Sequence, residues 1–490
     1  MAETSRIYGQ SLALLTDLYQ LTMAYGYWKS GLAEREAVFH LFFRRNPFEG
    51  GYALSCGLEQ AIDYVRNARF LDDDIEYLSK LEGGDGNRLF SDEFLDYLGA
   101  LEFTGDIDAI PEGTVVFAHE PLVRVRAPIL QCQLLETPLL NIVNFQTLIA
   151  TKAARICHAA RGQSVIEFGL RRAQGVDGAL SASRSAYVGG AGATSNVLAG
   201  KLFGIPVRGT HAHSWVMVFD DEIEAFAAYA AAMPNNCVFL VDTYDTLEGV
   251  KNAIEVGKSL ASSGQRLAGI RLDSGDLAHL SIEARKLLDA AGFHDTVIVA
   301  SNDLDEHVIS SLKDQGATIA VWGVGTRLAT AYDQPALGGV YKLAALRNGE
   351  GDWAWKIKLS EQPIKISTPG ILQVRRYVDG DRFVADAIFD DELGRDDSDP
   401  IFDVEDVLRK REVPAHTHVR DLLKPIFRAG KLEYEVPPLA EVRRRAWRSL
   451  ASLSDRSKRA LNPQTYVVGL DQKVHDRKTE LIIKARQQGT

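Results

Sequence analysis

Two histidines stand one residue apart in the stretch Gly209-Thr210-His211-Ala212-His213-Ser214-Trp215. A neutral imidazole can ligate a metal, titrate near neutral pH or act as a nucleophile. Three interpretations are therefore open: a metal-binding pair, one reactive histidine beside a bystander, or two side chains that fill a core. The spacing alone does not choose between them.

A metal-binding pair would need further ligands at neighbouring strand ends, and these are usually more histidines. None of the other nine histidines falls at the polar end of a strand predicted below. The four cysteines are far apart and form no CxxC pair, which argues against structural zinc and favours reduced buried thiols. The metal-pair interpretation is therefore disfavoured, and the ligands of any metal ion are unknown at this point.

Two other stretches have residue types that suit phosphate. Gly323-Val324-Gly325-Thr326 offers backbone N–H groups without obstruction by a Cβ, together with a hydroxyl. Phe168-Gly169-Leu170-Arg171-Arg172 supplies guanidinium groups, which bind phosphate or carboxylate through two hydrogen bonds. The structural alternative is a plain tight turn for the first stretch and a surface ion pair for the second.

Carboxylates occupy a third position of this kind. Asp273 and Asp276 lie three residues apart in Arg271-Leu272-Asp273-Ser274-Gly275-Asp276, a pattern suited to binding Mg²⁺ through water, orienting ribose hydroxyls or polarising a histidine. Asp276 also sits where a helix N-cap would fall, so Asp273 is the better functional candidate. Asp242 and Asp245 admit the same division between site and turn.

The elements that must position these residues form a regular alternation between about residues 160 and 325. Helix-like segments, such as 247–260 and 278–291, separate short apolar runs rich in β-branched residues. The predicted strands are 164–168, 205–208, 237–241, 268–272, 296–300 and 318–322. This alternation predicts a parallel α/β core, most economically a barrel, whose ligands bind where the carboxyl ends of the strands meet.

The flanking regions have a different pattern. A helix over 12–28 followed by strands over 37–43 and 114–117 predicts a separate α+β domain at the N-terminus. After about residue 345, strand-like segments lead into a charged helical end. The predicted fold class is thus α/β: an N-terminal α+β domain over 1–140, an irregular α/β barrel over 141–345, and a C-terminal region over 346–490.

Composition limits the class of protein. A chain of 490 residues with 46% hydrophobic and 25% charged residues predicts an ordinary protein of two or three domains. A net charge of -11 disfavours nucleic-acid binding, and the basic run 443–448 is interpreted as a solvated helix face. No run of about 18 apolar residues and no signal pattern in the first ten residues is present, so we expect a cytoplasmic protein without membrane partners.

Taken together, the motifs resemble those of the nicotinate phosphoribosyltransferase family. The ordered set begins with Leu15-Thr16-Asp17-Leu18-Tyr19-Gln20-Leu21-Thr22-Met23, continues through the stretches above and ends with Lys365-Ile366-Ser367-Thr368-Pro369-Gly370. The resemblance implies the irregular barrel of type II phosphoribosyltransferases in a homodimer with shared active sites. It also implies an ATP-dependent, ligase-type reaction that uses Mg²⁺ and joins nicotinate to phosphoribosyl pyrophosphate, giving nicotinate mononucleotide. This reaction is the first step of NAD salvage from nicotinate.

The same resemblance implies roles for individual residues. His213 is similar to the family's phosphorylated histidine and is catalytic together with Asp273. The implied nicotinate-binding residues are Tyr19 from the partner subunit, Phe168, Arg171 and Thr210. The implied phosphate- and ribose-binding residues are Arg271, Gly323, Gly325, Thr326 and Ser367. His211 departs from the family, where an apolar residue is common, and receives no role.

Alternative functions follow from the same motifs. An enzyme resembling nicotinamide phosphoribosyltransferase would need a carboxylate for the substrate amide, whereas Gly192-Ala193-Thr194-Ser195-Asn196 contains no acid. Quinolinate phosphoribosyltransferase would call for more cations and a shorter chain. A non-catalytic nucleotide-binding protein would predict loss of His213 or Asp273. The sequence has no GxxxxGK[ST] loop, so we expect ATP to use the same phosphate site in sequence with the sugar pyrophosphate.

Overall fold

The computed structural model describes residues 11–262, 264–349, 351–406 and 408–488. The chain forms two compact units: unit 1 comprises Met1–Leu148 and Ala336–Thr490, and unit 2 comprises Ile149–Pro335. The first ten residues, which carried the expectation about a signal pattern, lie outside the described residues. The division into three domains stays a prediction.

The N-terminal part of unit 1 begins with a helix that is shorter than the predicted 12–28. The helix starts after Asp17, which has an extended backbone conformation. The elements are α1 (Leu18–Lys29), β1 (Glu36–Phe43), β2 (Ala53–Leu54), α2 (Leu58–Asn67), α3 (Asp72–Ser79), α4 (Asp92–Gly99), β3 (Asp106–Ala109), β4 (Val115–Val116), β5 (Val123–Pro128), α5 (Ile129–Leu134) and α6 (Glu136–Ala159). Helix α6 continues past Leu148 into the part of the chain assigned to unit 2.

Unit 2 contains the alternating elements predicted for the α/β core. They are β6 (Ser164–Glu167), α7 (Gly175–Gly189), β7 (Ala193–Thr194), α8 (Val197–Phe203), α9 (His213–Val216), α10 (Glu222–Ala232), β8 (Val238–Leu240), α11 (Thr246–Ser262), β9 (Gly269–Leu272), α12 (Leu277–Ala290), β10 (Val297–Asn302), α13 (Glu306–Asp314), β11 (Val321–Val324) and α14 (Thr326–Ala329). The strand predicted over 318–322 corresponds to β11, which begins three residues later than predicted.

The six strands of unit 2 pair in parallel in the order β7-β6-β11-β10-β9-β8. The predicted strand over 205–208 forms only one bridge, between Val207 and Thr194 of β7. Within the described residues, no backbone ladder joins that end of the sheet to β8. The mixed α/β class is confirmed, whereas closure into a barrel is not.

The C-terminal part of unit 1 consists mainly of antiparallel strands. Its elements are β12 (Gly339–Arg347), β13 (Trp353–Trp355), β14 (Leu372–Asp379), β15 (Arg382–Asp390), β16 (Ile401–Phe402), β17 (Lys410–Arg411), β18 (His418–Asp421), β19 (Lys424–Arg428), β20 (Lys431–Leu432), α15 (Leu439–Ser452), β21 (Val468–Leu470) and α16 (Gln472–Gln488).

The two ends of the chain share one sheet in unit 1. Its seven strands run in the order β13-β12-β1-β5-β3-β19-β20, so β1 lies between β5 and β12. Six of the eight side-chain positions of β1 are buried, as its nearly continuous apolar sequence requires. A second sheet has the order β17-β16-β21-β15-β14-β18, and β2 pairs with β4. In the described part of the chain, no helix combines the length and apolar character needed to cross a membrane.

Candidate active site

The carboxyl ends of the strands of unit 2 lie at one edge of the sheet. Val324 of β11 is in register with Glu167 of β6 and Asn302 of β10. Leu240 of β8 is in register with Arg271 of β9. The loops that leave this edge contain most of the residues singled out from the sequence, as expected for a parallel sheet.

His213 is the first residue of α9, and 39% of its side chain is exposed. Its Nδ1 atom lies 3.2 Å from the hydroxyl oxygen of Thr243, in the loop after β8. Its Nε2 atom lies 3.9 Å from Oδ2 of Asp273, which directly follows β9. The second distance is too long for a hydrogen bond but lies within the range of an ion pair with a protonated imidazole. The structure therefore brings together the two residues predicted to be catalytic.

Hydrogen bonds hold the Asp273 loop in place. The Asp273 backbone N–H donates to Oδ2 of Asp242 over 2.7 Å, and the Ser274 hydroxyl donates to the same oxygen over 2.7 Å. The hydroxyl of Ser301, in β10, donates to Oδ1 of Asp273. Three neighbouring strands thus contribute to the position of this one carboxylate.

The other two carboxylates of these loops cap helices. Asp276 accepts a hydrogen bond from the backbone N–H of His279 over 3.1 Å and is the N-cap of α12. Asp245 accepts from the backbone N–H of Glu248 over 2.9 Å at the start of α11. Asp273 and Asp242 therefore belong to the surroundings of His213. Asp276 and Asp245 instead satisfy the N–H groups at the start of a helix.

Phe168 follows β6, and its ring lies over Gly323 of β11. A Cβ atom at Gly323 would stand 2.6 Å from two carbons of that ring, so glycine leaves the space that the ring occupies. A Cβ at Gly325 would stand 3.1 Å from the carbonyl oxygen of Phe168. The two glycines predicted to bind phosphate therefore also make room for the aromatic residue predicted to stack on the substrate. Thr326 starts the short helix α14 directly after Gly325.

Glu167 is a fully buried carboxylate beneath the Phe168 loop. It accepts hydrogen bonds from the hydroxyl of Ser183 over 2.9 Å and of Thr194 over 2.6 Å, and from the backbone N–H of Gly169. These bonds join β6, β7 and α7 and fix the turn that presents Phe168.

Two arginines give the edge a positive charge. Arg171 is exposed in a short turn after β6, and Arg271 is half-buried in β9. Burial lowers the pKa of Arg271; the charges of Asp273 and Asp242 oppose that shift, and the charge of Arg171 adds to it. Guanidinium groups bind carboxylate or phosphate through paired hydrogen bonds, so both side chains are candidates for anion binding.

Thr210 is half-buried in the loop before α9, and its hydroxyl donates to the carbonyl oxygen of His211 over 3.2 Å. The other two predicted residues belong to unit 1. Tyr19 is the second residue of α1 and is 49% exposed. Ser367 is buried, and its hydroxyl accepts the backbone N–H of Lys358 over 2.9 Å.

Sequence reasoning did not single out Thr243, Ser301 and Glu167. Each lies in a motif at the end of a predicted strand, and that location was the available signal. Hydroxyl groups are common in turns, so only the contacts with His213 and Asp273 distinguish Thr243 and Ser301 from ordinary turn residues.

Comparison with known proteins shows the family to which the chain belongs. Three family models match the chain: the nicotinate phosphoribosyltransferase N-terminal domain over residues 14–144, the nicotinate phosphoribosyltransferase family over 163–351, and the C-terminal domain over 373–478. Nicotinate phosphoribosyltransferase of Bacillus subtilis is 46% identical over 97% of this chain and 96% of that protein. The Homo sapiens protein of that name is 36% identical over 94% and 95%, respectively.

Solved structures show the same relationship. The crystal structure of human nicotinic acid phosphoribosyltransferase superimposes with a TM-score of 0.82 and 33% identity, covering 95% of this chain and 99% of that one. A nicotinate-nucleotide pyrophosphorylase from Pyrococcus furiosus, with a TM-score of 0.69 and 21% identity over 90% and 95% of the two chains, shares the fold. On the agreement of all three family models with full-length relatives, the chain belongs to the nicotinate phosphoribosyltransferase family.

Proposed function

We propose that this protein joins nicotinate to phosphoribosyl pyrophosphate and that ATP hydrolysis drives the reaction through a phosphorylated His213. The products are nicotinate mononucleotide, pyrophosphate, ADP and phosphate, in the salvage of nicotinate into NAD. The observation that carries this proposal is the arrangement of His213 between Thr243 and Asp273, at the strand edge that also presents Arg171 and Arg271.

In the glycosyl transfer step, the ring nitrogen of nicotinate forms a bond to C1′ of the ribose, and the bond from C1′ to the pyrophosphate oxygen breaks. Arg171 and Arg271 would attract the nicotinate carboxylate or a phosphate, Thr210 would lie beside that group, and Phe168 would stack on the pyridine ring. Backbone N–H groups of Gly325 and Thr326, which follow β11, would bind the 5′-phosphate, whereas Gly323 lies within the strand and would contribute by leaving room for Phe168.

In the coupling step, an imidazole nitrogen of His213 forms a bond to the γ-phosphorus of ATP, and the bond to ADP breaks. Water later takes the phosphoryl group, which leaves as phosphate and restores the histidine. Thr243 at Nδ1 and Asp273 facing Nε2 would orient the ring, and the Asp273 carboxylate would stabilise the positive charge that develops on it.

Mg²⁺ in such a site would neutralise charge on the pyrophosphate and triphosphate oxygens. Mg²⁺ prefers one or two carboxylates together with substrate phosphates and water, and Asp273 and Asp242 provide that donor set. Oδ1 of Asp242 is buried and has no hydrogen-bond partner among the described residues, which also fits a site where a cation is expected. The same described residues contain no cluster of three or more acidic, histidine or cysteine side chains that would bind a metal without substrate.

The proposal includes a homodimer with shared active sites, in which Tyr19 of one subunit serves the site of the other. Its exposure on α1, with Leu15, Leu18 and Met23 also exposed, supports a face that is available to a partner. Ser367 would contribute to a second phosphate-binding loop. We also propose that the parallel sheet of unit 2 curves as an irregular barrel.

Nicotinate rather than nicotinamide is the proposed substrate. The segment from Gly192 to Asn196 contains no acid, and Thr194 and Asn196 form hydrogen bonds with Glu167 and Ser183. Glu167 is fully buried and already accepts hydrogen bonds from Ser183, Thr194 and Gly169, so it is not presented to a substrate amide. Two arginines at the strand edge, together with a 192–196 segment that contains no carboxylate, favour the anionic ring.

The test compares substrates and co-substrates with purified protein. We expect nicotinate mononucleotide from nicotinate and phosphoribosyl pyrophosphate, formed faster with ATP, and much slower turnover of nicotinamide. His213→Ala should remove both the stimulation by ATP and the acid-labile label from γ-phosphate-labelled ATP.

His294→Ala is the matched control, because His294 is exposed in the same unit and pairs only with Asp289 among the contacts described for it. That variant should retain stimulation and labelling. Equal turnover of the two pyridines, or full ATP stimulation in His213→Ala, would refute the proposed function.

A further inference from the structure

The buried amide of Leu240 lies at the outer edge of β8. The next residue, Val241, donates its N–H to the carbonyl oxygen of Arg271 in β9 over 3.2 Å. Because successive N–H groups of a strand point to opposite sides, the Leu240 N–H points away from β9. In the described residues no strand pairs with β8 on that side. A buried N–H group in this position requires an acceptor.

The acceptor is a side chain. The Leu240 N–H donates to Nε2 of His211 over 3.2 Å. His211 belongs to the segment that begins at Val207, whose bridge to Thr194 lies at the opposite end of the sheet. No backbone ladder joins β7 to β8 in the described residues. The segment after Val207 is bridged to Thr194 of β7 at its start, and the ring of His211 connects the same segment to β8. A second bond runs from the side-chain amide of Asn236 to the carbonyl oxygen of Gly209 over 3.2 Å.

The bond from Leu240 determines the tautomer of His211. Since a backbone N–H can only donate, Nε2 must be unprotonated, and the neutral ring then has its hydrogen on Nδ1. Nδ1 lies 3.2 Å from the carbonyl oxygen of Ala212, which accepts that hydrogen. With both nitrogens engaged, His211 is not available as a phosphoryl acceptor or as half of a metal-binding pair.

The surroundings of His211 favour the same neutral ring. The residue is 8% exposed, and its ring centroid lies 4.8 Å from that of Tyr229 and 6.2 Å from that of Phe226. Burial lowers the pKa of His211, and the nearby charges of Arg271 and His213 lower it further. The hydrogen bond to Ala212 raises the pKa, but the net shift is downward. Arg271 also donates to the His211 carbonyl oxygen over 3.0 Å.

We infer that His211 is a positioning residue: its side chain joins the segment after Val207 to the edge of β8 and so holds the loop that presents Thr210 and His213. The consequence of this connection for catalysis rests on the proposed function.

Three substitutions separate the contacts of the ring. His211→Leu keeps apolar volume and removes both polar contacts. The asparagine amide in His211→Asn can reach the Ala212 carbonyl oxygen but is too short to reach the Leu240 N–H. The amide oxygen in His211→Gln is as many bonds from the backbone as Nε2 is, so it can accept that N–H. Hydrogen exchange at the Leu240 amide should be about tenfold faster in the Leu and Asn variants, and close to that of the unaltered protein in the Gln variant. Unchanged exchange in His211→Leu, or equally fast exchange in His211→Gln, would overturn the inference.

The protonation state of the His211 ring provides a second readout. In protein labelled with ¹⁵N-histidine, the ring signal that disappears in His211→Gln should come from a neutral ring protonated at Nδ1 at pH 7. A signal from the Nε2-protonated tautomer or from a charged ring would also overturn the inference.

Kinetics then test the link to catalysis. We expect kcat for nicotinate mononucleotide synthesis to fall about tenfold in His211→Leu and His211→Asn, with His211→Gln restoring most of the rate. Equal rates in the Leu and Gln variants would refute the positioning role. If the unaltered protein has no activity, the proposed function fails, and exchange at Leu240 still decides whether the His211 connection exists.

Discussion

Nε2 of His213 lies 3.9 Å from Oδ2 of Asp273, although 60 residues separate them in the chain. The hydroxyl of Ser301 donates to the other oxygen of the carboxylate, so Oδ2 is the oxygen directed towards the imidazole. Thr243 contacts the opposite ring nitrogen. The ring therefore lies between a hydroxyl and a carboxylate, and a carboxylate in this position stabilises a histidine ring that becomes positively charged.

Replacement of Asp273 by asparagine should reduce kcat about a hundredfold, because the variant keeps the side-chain size but removes the charge that faces His213. Steady-state rates with saturating nicotinate and phosphoribosyl pyrophosphate measure this effect. Asp276→Asn is the control: Asp276 is exposed and caps α12, and asparagine caps a helix equally well. If both variants lose activity to the same extent, the specific role of Asp273 is wrong.

Gly323→Ala should destabilise the protein by about 1–3 kcal/mol and raise KM for nicotinate, since a methyl group would displace the ring of Phe168. Urea denaturation and steady-state kinetics provide the two measurements. Gly178→Ala is the comparison, because Gly178 lies within α7 with open space around its Cβ position. That change should stabilise the helix by up to about 1 kcal/mol. A normal KM in Gly323→Ala would show that the ring does not need its present position.

Glu306→Gln should lower the free energy of unfolding by about 3–5 kcal/mol, because it breaks a buried ion network. Glu306 is almost fully buried and lies 2.7 Å from both Nζ of Lys152 and Nε of Arg155. Glu248→Gln removes the carboxylate of an exposed pair with Lys251 and should cost less than about 1 kcal/mol. Similar losses in the two variants, measured by urea denaturation, would contradict the structural importance of the buried network.

Stability should fall with acidification partly because of His40 in β1. Burial lowers the pKa of His40 to about 3, with the charge of Arg124 acting in the same direction, and its Nε2 accepts the Leu372 N–H over 3.2 Å. Between pH 6.5 and about 3 the unfolded chain binds a proton at this site and the folded chain does not. The free energy of unfolding therefore decreases as pH falls through that window, by up to about 1.4 kcal/mol per pH unit from this group.

His40→Gln keeps an acceptor for Leu372 but cannot titrate, so it should show a shallower decrease in stability between pH 6.5 and 4. Urea denaturation at several pH values compares the two slopes. Replacement of the exposed His294 should leave the slope near that of the unaltered protein. Parallel slopes for His40→Gln and the unaltered chain would mean that His40 is not held neutral by the fold.

Local sequence patterns predicted five of the six strands of unit 2 and two of its long helices. The helices predicted over 247–260 and 278–291 correspond to α11 and α12, whose apolar residues recur with helical spacing. The pattern also identified Asp276 as a candidate N-cap, because the interaction of a cap spans only three residues. The strand prediction over 318–322 was shifted, and Val207 forms a bridge instead of a strand, since strand pairing depends on distant partners.

The sheet of unit 1 could not be derived from such patterns. Strand β1 pairs with β12, some 300 residues later, and β3 pairs with β19. Each of these strands is recognisable locally, but its neighbour is set by long-range packing and register. The N-terminal and C-terminal parts consequently share one sheet, which the separate sequence patterns of the two regions did not indicate.

The sequence by itself determined the family motifs, the alternation of strands and helices in unit 2, and the set of polar residues at the strand ends. Only the tertiary structure decided how those residues pair: His213 with Thr243 and Asp273, and His211 with the amide of Leu240. The physical reason is that periodicity depends on neighbours within a few residues, whereas a hydrogen bond between two loops depends on the register of the strands that precede them. Two histidines one residue apart therefore have different environments, one facing the site and one completing the edge of the sheet.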